Sequence, residues 1–414
     1  MDSSRLSRVP TPKDHLAPTT DRRNLYASYA TGLFSMGQAE LLTIIIPLWA
    51  LLQGATPTQI GALVGARSVL TFFLAIHGGA LMDRLGTRRV LMFFACATGA
   101  VALLYPLLPW FPAMVVMQML IGFAGNMTWI GAQTIIGHVT GGDPGQIGRF
   151  SFFARIGNVI APLMMGLLWD LAGPTIAFLG VAGWSVVLLA VVSQVHDTRT
   201  EARATGQFSW REILPRVSDY TGSIRLVLIP AVALTLAVSF LRHATNGVEA
   251  SFLIVYLREL GFAAIMIGAL FSIAEVVNGF GSLLSGRAAK LVPIPWLMVG
   301  LTGAAIALLL ITPLLGGVFI LLAITQSLRR GFEGVVQPLM FSLQARAVAR
   351  NQQGSVVGLR VTNNRLSSII TPLAMGLIVD QFGIENGFMV IGTVLLLACA
   401  TLAVVVARSP ALRM

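Results

Sequence analysis

Arg155-Ile-Gly-Asn-Val-Ile-Ala-Pro162-Leu-Met-Met-Gly166-Leu-Leu-Trp-Asp170-Leu-Ala-Gly173 and Arg365-Leu-Ser-Ser-Ile-Ile-Thr-Pro372-Leu-Ala-Met-Gly376-Leu-Ile-Val-Asp380-Gln-Phe-Gly383 are two versions of one apolar segment. Arg, Pro, Gly, Asp and Gly recur at a constant offset of 210 residues. Weaker echoes join Ile60-Gly-Ala-Leu63 to Ile267-Gly-Ala-Leu270 at an offset of 207, and Gly122-Phe-Ala-Gly125 to Gly331-Phe-Glu-Gly334 at 209. Nearly constant offsets in three pairs of segments point to an internal duplication, so the chain is read as two related halves.

The composition says where those halves reside. Of 414 residues, 56% are hydrophobic and 11% charged, against roughly 25% charged in a soluble protein. A bilayer-spanning helix takes about 20 apolar residues. Runs broken by charge, Gly and Pro predict twelve spans, near 25–52, 57–82, 88–109, 113–138, 147–171, 174–195, 225–257, 264–290, 294–314, 317–345, 352–380 and 385–408. The expected fold is therefore an all-α integral membrane protein, with twelve transmembrane helices in two pseudo-symmetric six-helix bundles. Residues 1–24 read as a disordered cytoplasmic tail with no cleavable signal, 25–195 as the N-terminal bundle, 196–224 as a polar cytoplasmic linker, 225–408 as the C-terminal bundle and 409–414 as a short cytoplasmic tail.

The net charge of +11 would suggest nucleic acid in a soluble protein. Here the basic residues, among them Arg22, Arg23, Arg149, Arg199, Arg287, Lys290, Arg346 and Arg408, fall in loops on one side, while the opposite loops hold only Arg258. That asymmetry makes the Arg-rich side cytoplasmic and excludes nucleic acid as a partner. The expected location is the cytoplasmic (inner) membrane, multi-pass, with both termini inside. The two cysteines, Cys96 and Cys399, lie in apolar spans and read as packing residues.

The loop after the second span reads Gly79-Ala-Leu81-Met-Asp83-Arg84-Leu-Gly86-Thr87-Arg88-Arg89. It resembles the G-x-L-x-D-R-x-G-R-R/K signature of the major facilitator superfamily, and with twelve spans, a central linker and a repeat the resemblance covers the whole chain. It implies a secondary transporter working by alternating access, in which Gly79, Asp83, Arg84, Gly86, Arg88 and Arg89 would form a cytoplasmic latch, with Asp83 facing the start of the eleventh span near Gln352 to Ser355. In the second half Lys290 stands where Asp83 is repeated, so only the first copy should gate.

Ionisable residues deep in spans are costly in lipid and should face a cavity or a partner. Glu40 lies seven residues before Pro47, an arrangement similar to that in drug:proton antiporters of the superfamily, and with no basic residue nearby on its own helix it is a natural proton carrier. Glu249, Glu275 and Glu333 are the other coupling candidates. Candidates for the substrate cavity are Arg67, Asn126, Trp129, Gln133, Arg155, Arg242, Asn278, Arg330, Gln337, Arg360 and Asn364. Gln326, Arg330, Glu333 and Gln337 fall on one helical face, so Arg330 is expected to pair with Glu333. Arg155 and Arg365 occupy repeat-equivalent positions and read equally as bridges between halves.

Seven deep cations, Arg67, Arg155, Arg242, Arg329, Arg330, Arg360 and Arg365, against four acids favour an anionic or zwitterionic small-molecule substrate. Trp129, Phe34, Phe252 and Phe271 are candidate aromatic lining. Gln118 stands where proton-coupled relatives carry an Arg, and the fifth span's Gly157 to Gly166 resembles the antiporter motif loosely. Proton-coupled export by a monomer is the favoured reading, proton-linked import of an organic anion the alternative, and a non-transporting sensor a remote one. No G-x-x-x-x-G-K-[ST], H-E-x-x-H or His-rich cluster supports an enzyme, a cofactor or a metal.

Overall fold

A computed structural model describes residues 22–140, 143–196, 225–348 and 353–412. The tail 1–21 and the segment 197–224, which hold most of the expected tail and linker, lie outside it. The helices are α1 (Arg22–Leu52), α2 (Pro57–Leu85), α3 (Thr87–Leu104), α4 (Phe111–Thr140), α5 (Pro144–Ser193), α6 (Pro230–Val248), α7 (Ile254–Glu259), α8 (Ala264–Leu291), α9 (Ile294–Leu310), α10 (Phe319–Ala347), α11 (Gln353–Phe382) and α12 (Ile384–Arg408). The expected fifth and sixth spans run on as α5, broken only at Gly173, whose φ of 84° is open to glycine. The seventh span is not one helix: α6 and α7 are joined by a π-helical stretch, Glu249–Leu253.

Sequence explains why these segments are helices with these ends. Thr56 caps α2 in a reciprocal capping box with Gln59, and Pro57 occupies the first helical turn, where its missing N–H costs nothing. Asp143 caps α5 by accepting from the Gln146 amide at 2.9 Å. Asn24 ties the start of α1 to the end of α5, donating to the His196 carbonyl at 2.9 Å and accepting from its amide at 3.0 Å. Among the described residues, α1, α3, α4, α5, α8 and α12 are long and apolar enough to cross a bilayer. The other long helices, α2, α10 and α11, carry deep arginines. Phe93, Leu171 and Leu397 point outward, and they are exposed in the way a lipid-facing shell requires.

The two halves meet most extensively along α2 with α11 and α5 with α8. The repeat explains both. A Cβ at Gly61 would sit 2.2 Å from the Pro372 carbonyl oxygen, and one at Gly268 would sit 2.4 Å from that of Pro162. Gly376 and Gly166 close the same seams, where a Cβ would sit 2.6 Å from the Pro57 oxygen and 2.4 Å from that of Ala264. Only glycine permits such approach of two backbones. The repeated aspartates finish the job: Asp380 accepts from the Thr58 amide at 3.0 Å and also from its hydroxyl, while Asp170 accepts from the Ile265 amide at 2.7 Å. Ala263, at the N-cap of α8, has no side chain that could do this. Each aspartate thus places negative charge at the positive end of a helix from the other half. All four glycines and both aspartates lie toward the end of the bundle away from the chain termini, and that distal end is closed.

Gly268→Leu should leave both bundles folded but prevent this closure. In a Cys96→Ser background, a cysteine placed at Ala39 in the interior should react several-fold faster with a membrane-impermeant maleimide from the distal side when Gly268 is replaced. Unchanged labelling with full transport would show that the glycine seam is not a gate.

Candidate functional site

Between the halves lies a cavity of about 430 Å³, bounded by α1, α2 and α4 on one side and by α6, α8, α10 and α11 on the other. Glu40 of α1, Arg67 and Ser68 of α2, Asn126 and Trp129 of α4, His243 and Asn246 of α6, Arg330 of α10, and Arg365 and Ser368 of α11 all line it.

Local packing fixes these groups. Arg67 donates to Thr43 Oγ1 at 3.0 Å and to the Ala39 carbonyl, while Gly122 packs directly on its backbone. α11 is stitched to α6: Asn363 donates to the Leu236 carbonyl at 2.9 Å, Ser239 to Asn364 Oδ1 at 2.6 Å, and Ser367 to the Phe240 carbonyl at 2.9 Å. With those residues turned to α6, Arg365 and Ser368 are presented to the cavity. Arg365 donates to Asn126 Oδ1 at 2.8 Å, across the halves. Trp129 stacks on Phe150 at 5.8 Å between centroids. Glu40 forms no ion pair among the described residues, and its charged neighbours are Arg67, Arg330 and Glu275.

A second charged group lies behind the cavity wall. Arg329 is fully buried, as is Glu249, and Glu333 is nearly so. Arg329 Nη1 lies 2.7 Å from Glu333 Oε1, Nη2 pairs with Glu249, and Nε donates to Gln326 at 2.9 Å. Arg330 Nη2 lies 2.9 Å from Glu249 Oε2, and the Arg330 side chain remains 21% exposed toward the cavity. Two arginines and two glutamates are therefore paired, with Arg330 reaching the cavity. Arg242 is buried beside it with no partner for Nε, and it feels the Glu333 charge. The π-helical stretch starts at Glu249, so the cluster sits on the π-helical irregularity of the seventh span.

A third group bridges α5 and α8. The Glu275 carboxylate receives Arg155 Nη1, Asn158 Nδ2 and Asn278 Nδ2, each at 3.4 Å. A separate apolar cleft of about 490 Å³ adjoins this pair between α5 and α8.

The family model of the Major Facilitator Superfamily matches residues 29–313 and 235–413. The chain belongs to the major facilitator superfamily. No curated protein sequence matches it. Solved structures with the same architecture include the nucleoside transporter NupG, 13% identical with a TM-score of 0.77, covering 93% of this chain and 99% of that one. They also include a POT family transporter in complex with 5-aminolevulinic acid, 13% identical with a TM-score of 0.73, covering 95% and 97%. A bacterial homolog of the human lysosomal transporter Spinster, inward-facing and unoccupied, is 14% identical with a TM-score of 0.70, covering 93% and 95%. These likenesses concern the fold. The protein is thus a twelve-helix membrane transporter of this superfamily, built as two six-helix bundles, and not an enzyme.

In this facilitator several residues expected in the cavity stand elsewhere. The strong partner of Glu333 is Arg329, not Arg330, whose own contact with Glu333 is a looser 3.6 Å. Gln133 is exposed, and Gln337 is absent from the cavity wall. Arg242 belongs to the buried cluster, Asn278 and Arg155 to the Glu275 group, and Asn364 to the α6 seam. Arg360 is held over the Phe341 ring at 4.1 Å. Phe252 is fully buried in the core. Gly79, Asp83 and Arg84 fall within α2 and Gln353 to Ser355 begin α11, but their side-chain surroundings, like all of Gln352, are outside what the structure describes; Gly86 ends α2 at φ 90°, Arg88 donates to the Ser193 carbonyl at 2.5 Å, and Arg89 is exposed. Conversely, Asn246 stands on the cavity wall outside the expected set, although Ser239, His243, Asn246 and Ala250 repeat the i, i+4, i+7, i+11 spacing of one helical face.

Arg329→Met should be the most damaging single change in the cluster, since it leaves two buried carboxylates sharing Arg330, which lies 2.9 Å from Glu249 but only 3.6 Å from Glu333, and breaking a buried pair costs about 3–5 kcal/mol. The double variant Arg329→Met with Glu333→Leu keeps Arg330 beside Glu249 and should recover most of the thermal stability. Thermal unfolding of the purified proteins checks both, and a double variant as unstable as the single one would break the argument.

Proposed function

We propose that this transporter moves a small organic anion across the cytoplasmic membrane together with a proton, by alternating access. The observation that carries the proposal is the charge of the central cavity: three arginines, Arg67, Arg330 and Arg365, face a single acid, Glu40. Arg330 is already compensated by the buried glutamates, and Glu40 lies opposite Arg67, which leaves Arg365 in excess. When Glu40 takes up a proton the cavity gains one further positive charge, and an anion binds it better. Proton and anion then load together, which is the thermodynamics of a symporter. An exporter exchanging protons for substrate needs the two to compete at the site, as a proton and a cation would. The fifth-span glycines that suggested export have a packing role, because Gly157 abuts the Leu33 carbonyl and Gly166 that of Ala264. Of the sequence-based alternatives, uptake of an organic anion is therefore preferred.

The Arg-rich end that holds the termini faces the cytoplasm in this reading, by the positive-inside rule, and the closed distal end faces outward. The cavity is complete within one chain, which supports a monomer as the working unit. Glu275, paired with Arg155, and Glu249 and Glu333, paired with Arg329, are less suited than Glu40 to carry a proton through the cycle. The motif ending at Arg89 acts as the cytoplasmic latch.

Glu40→Gln, which mimics the protonated acid, should retain substrate counterflow in proteoliposomes yet lose accumulation driven by a pH gradient. Wild-type accumulation by this variant would remove Glu40 from the coupling step. Asp83→Asn should fold normally but transport several-fold more slowly, because the charge it removes contributes only about 0.3–1 kcal/mol at a helix end; equal rates would remove the latch.

A further inference from the structure

The internal repeat locates the substrate's charged group. The carboxylate of Glu275 is received by Arg155 and Asn158 of α5 and by Asn278 of its own helix. The offset of 210 maps Arg155 and Asn158 onto Arg365 and Ser368, and the offset of 207 maps Glu275 onto Ser68 and Asn278 onto Thr71. The same offsets pair the glycine seams, so the two sets of positions are equivalent in space as well as in sequence. In one half of the pseudo-symmetric arrangement a carboxylate is built into the protein. In the other the cationic side of the site persists and the acid is gone.

We propose that the substrate is a carboxylate and that its carboxyl group takes the place of the missing acid, beside Ser68, held by Arg365 and the hydroxyl of Ser368. Ser68, Arg365 and Ser368 all line the central cavity, as this requires. Arg365 has no carboxylate partner among the described residues, its Nε is buried without an acceptor, and its one described bond goes to the neutral amide of Asn126. Arg67 also acts on it as a like charge, a repulsion that an intervening anion relieves. Thr71 differs from its counterpart, since its hydroxyl is directed to the Gly122 carbonyl at 3.4 Å. Trp129 and Phe271, elsewhere on the wall, suit an apolar or aromatic body attached to the carboxylate.

This rests on the anion reading above and narrows it, and one thermal-shift experiment separates the two. The purified transporter is titrated with acetate, benzoate and 3-phenylpropionate, with their amides, and with phosphate and benzenesulfonate. At least one carboxylate should stabilise the wild type while its amide does not. Arg365→Gln should weaken that effect by about tenfold or more, the loss expected for a charged hydrogen bond. Ser68→Glu should place a tethered carboxylate in the same spot, raising the melting temperature without ligand and abolishing the response. As an independent check on the template, Glu275→Ser should leave Arg155 without its partner and become responsive to acetate. A carboxylate response that survives Arg365→Gln, or a response to phosphate or sulfonate alone, overturns this assignment and leaves the anion reading standing. Stabilisation by the neutral amides only, or by none of these compounds, overturns both.

Discussion

Two proline carbonyls pressed against two glycines set the geometry of this molecule. Where Pro372 meets Gly61 and Pro162 meets Gly268, no side chain separates the halves, and the backbones approach as closely as packing allows. In lipid the hydrophobic effect does little to drive apolar helices together, so close contact and the cross-helix caps from Asp170 and Asp380 do that work. Because these seams are confined to the distal end, they close it without filling the middle. The central cavity is what remains when two bundles are joined at one end, and its wall is the set of helix faces just beyond the seams.

That geometry was written in the sequence more legibly than its meaning. The offsets of 207 and 210 marked Gly61, Pro162, Gly166, Gly268, Pro372, Gly376 and the two aspartates before any contact between them was known. A residue repeated for packing and one repeated for transport look the same in a single chain. Span existence was legible because twenty apolar residues in a row have few other uses. The break of the seventh span at Glu249 was not, since a π-helical stretch follows from where a buried carboxylate must point and leaves no local compositional trace.

The arginine cluster shows where face arithmetic stops. Arg329 and Arg330 are adjacent, about 100° apart on the helix, and spacing alone let either reach Glu333. Depth decided: Arg329 points into the bundle, where Glu249 and Glu333 must both be satisfied, and Arg330 lies toward the cavity and completes the pair from its edge. Asn246 and Arg365 entered the site for a related reason. Which polar face of α6 or α11 opens on the cavity depends on which face is used to join those helices, and the joining residues Ser239, Asn363, Asn364 and Ser367 look no different in sequence from those that line it.

Duplication yields two equivalent crossings between halves, and function requires that they differ. At the α5–α8 crossing Arg155 is neutralised by Glu275 within the protein, so it contributes a fixed bridge and no net field. At the α11–α2 crossing the equivalent arginine lines the cavity with Ser68 in the place of the acid, and no carboxylate pairs with it among the described residues. A buried cation left without a counter-ion is expensive in a membrane protein, and a bound anion lowers that expense only while it is present. With the anion proposed above, the empty and loaded cavities would differ in electrostatic energy at the surface where the halves must rock, so the absence of an acid from one copy of the repeat would tie the presence of substrate to the relative stability of the two states.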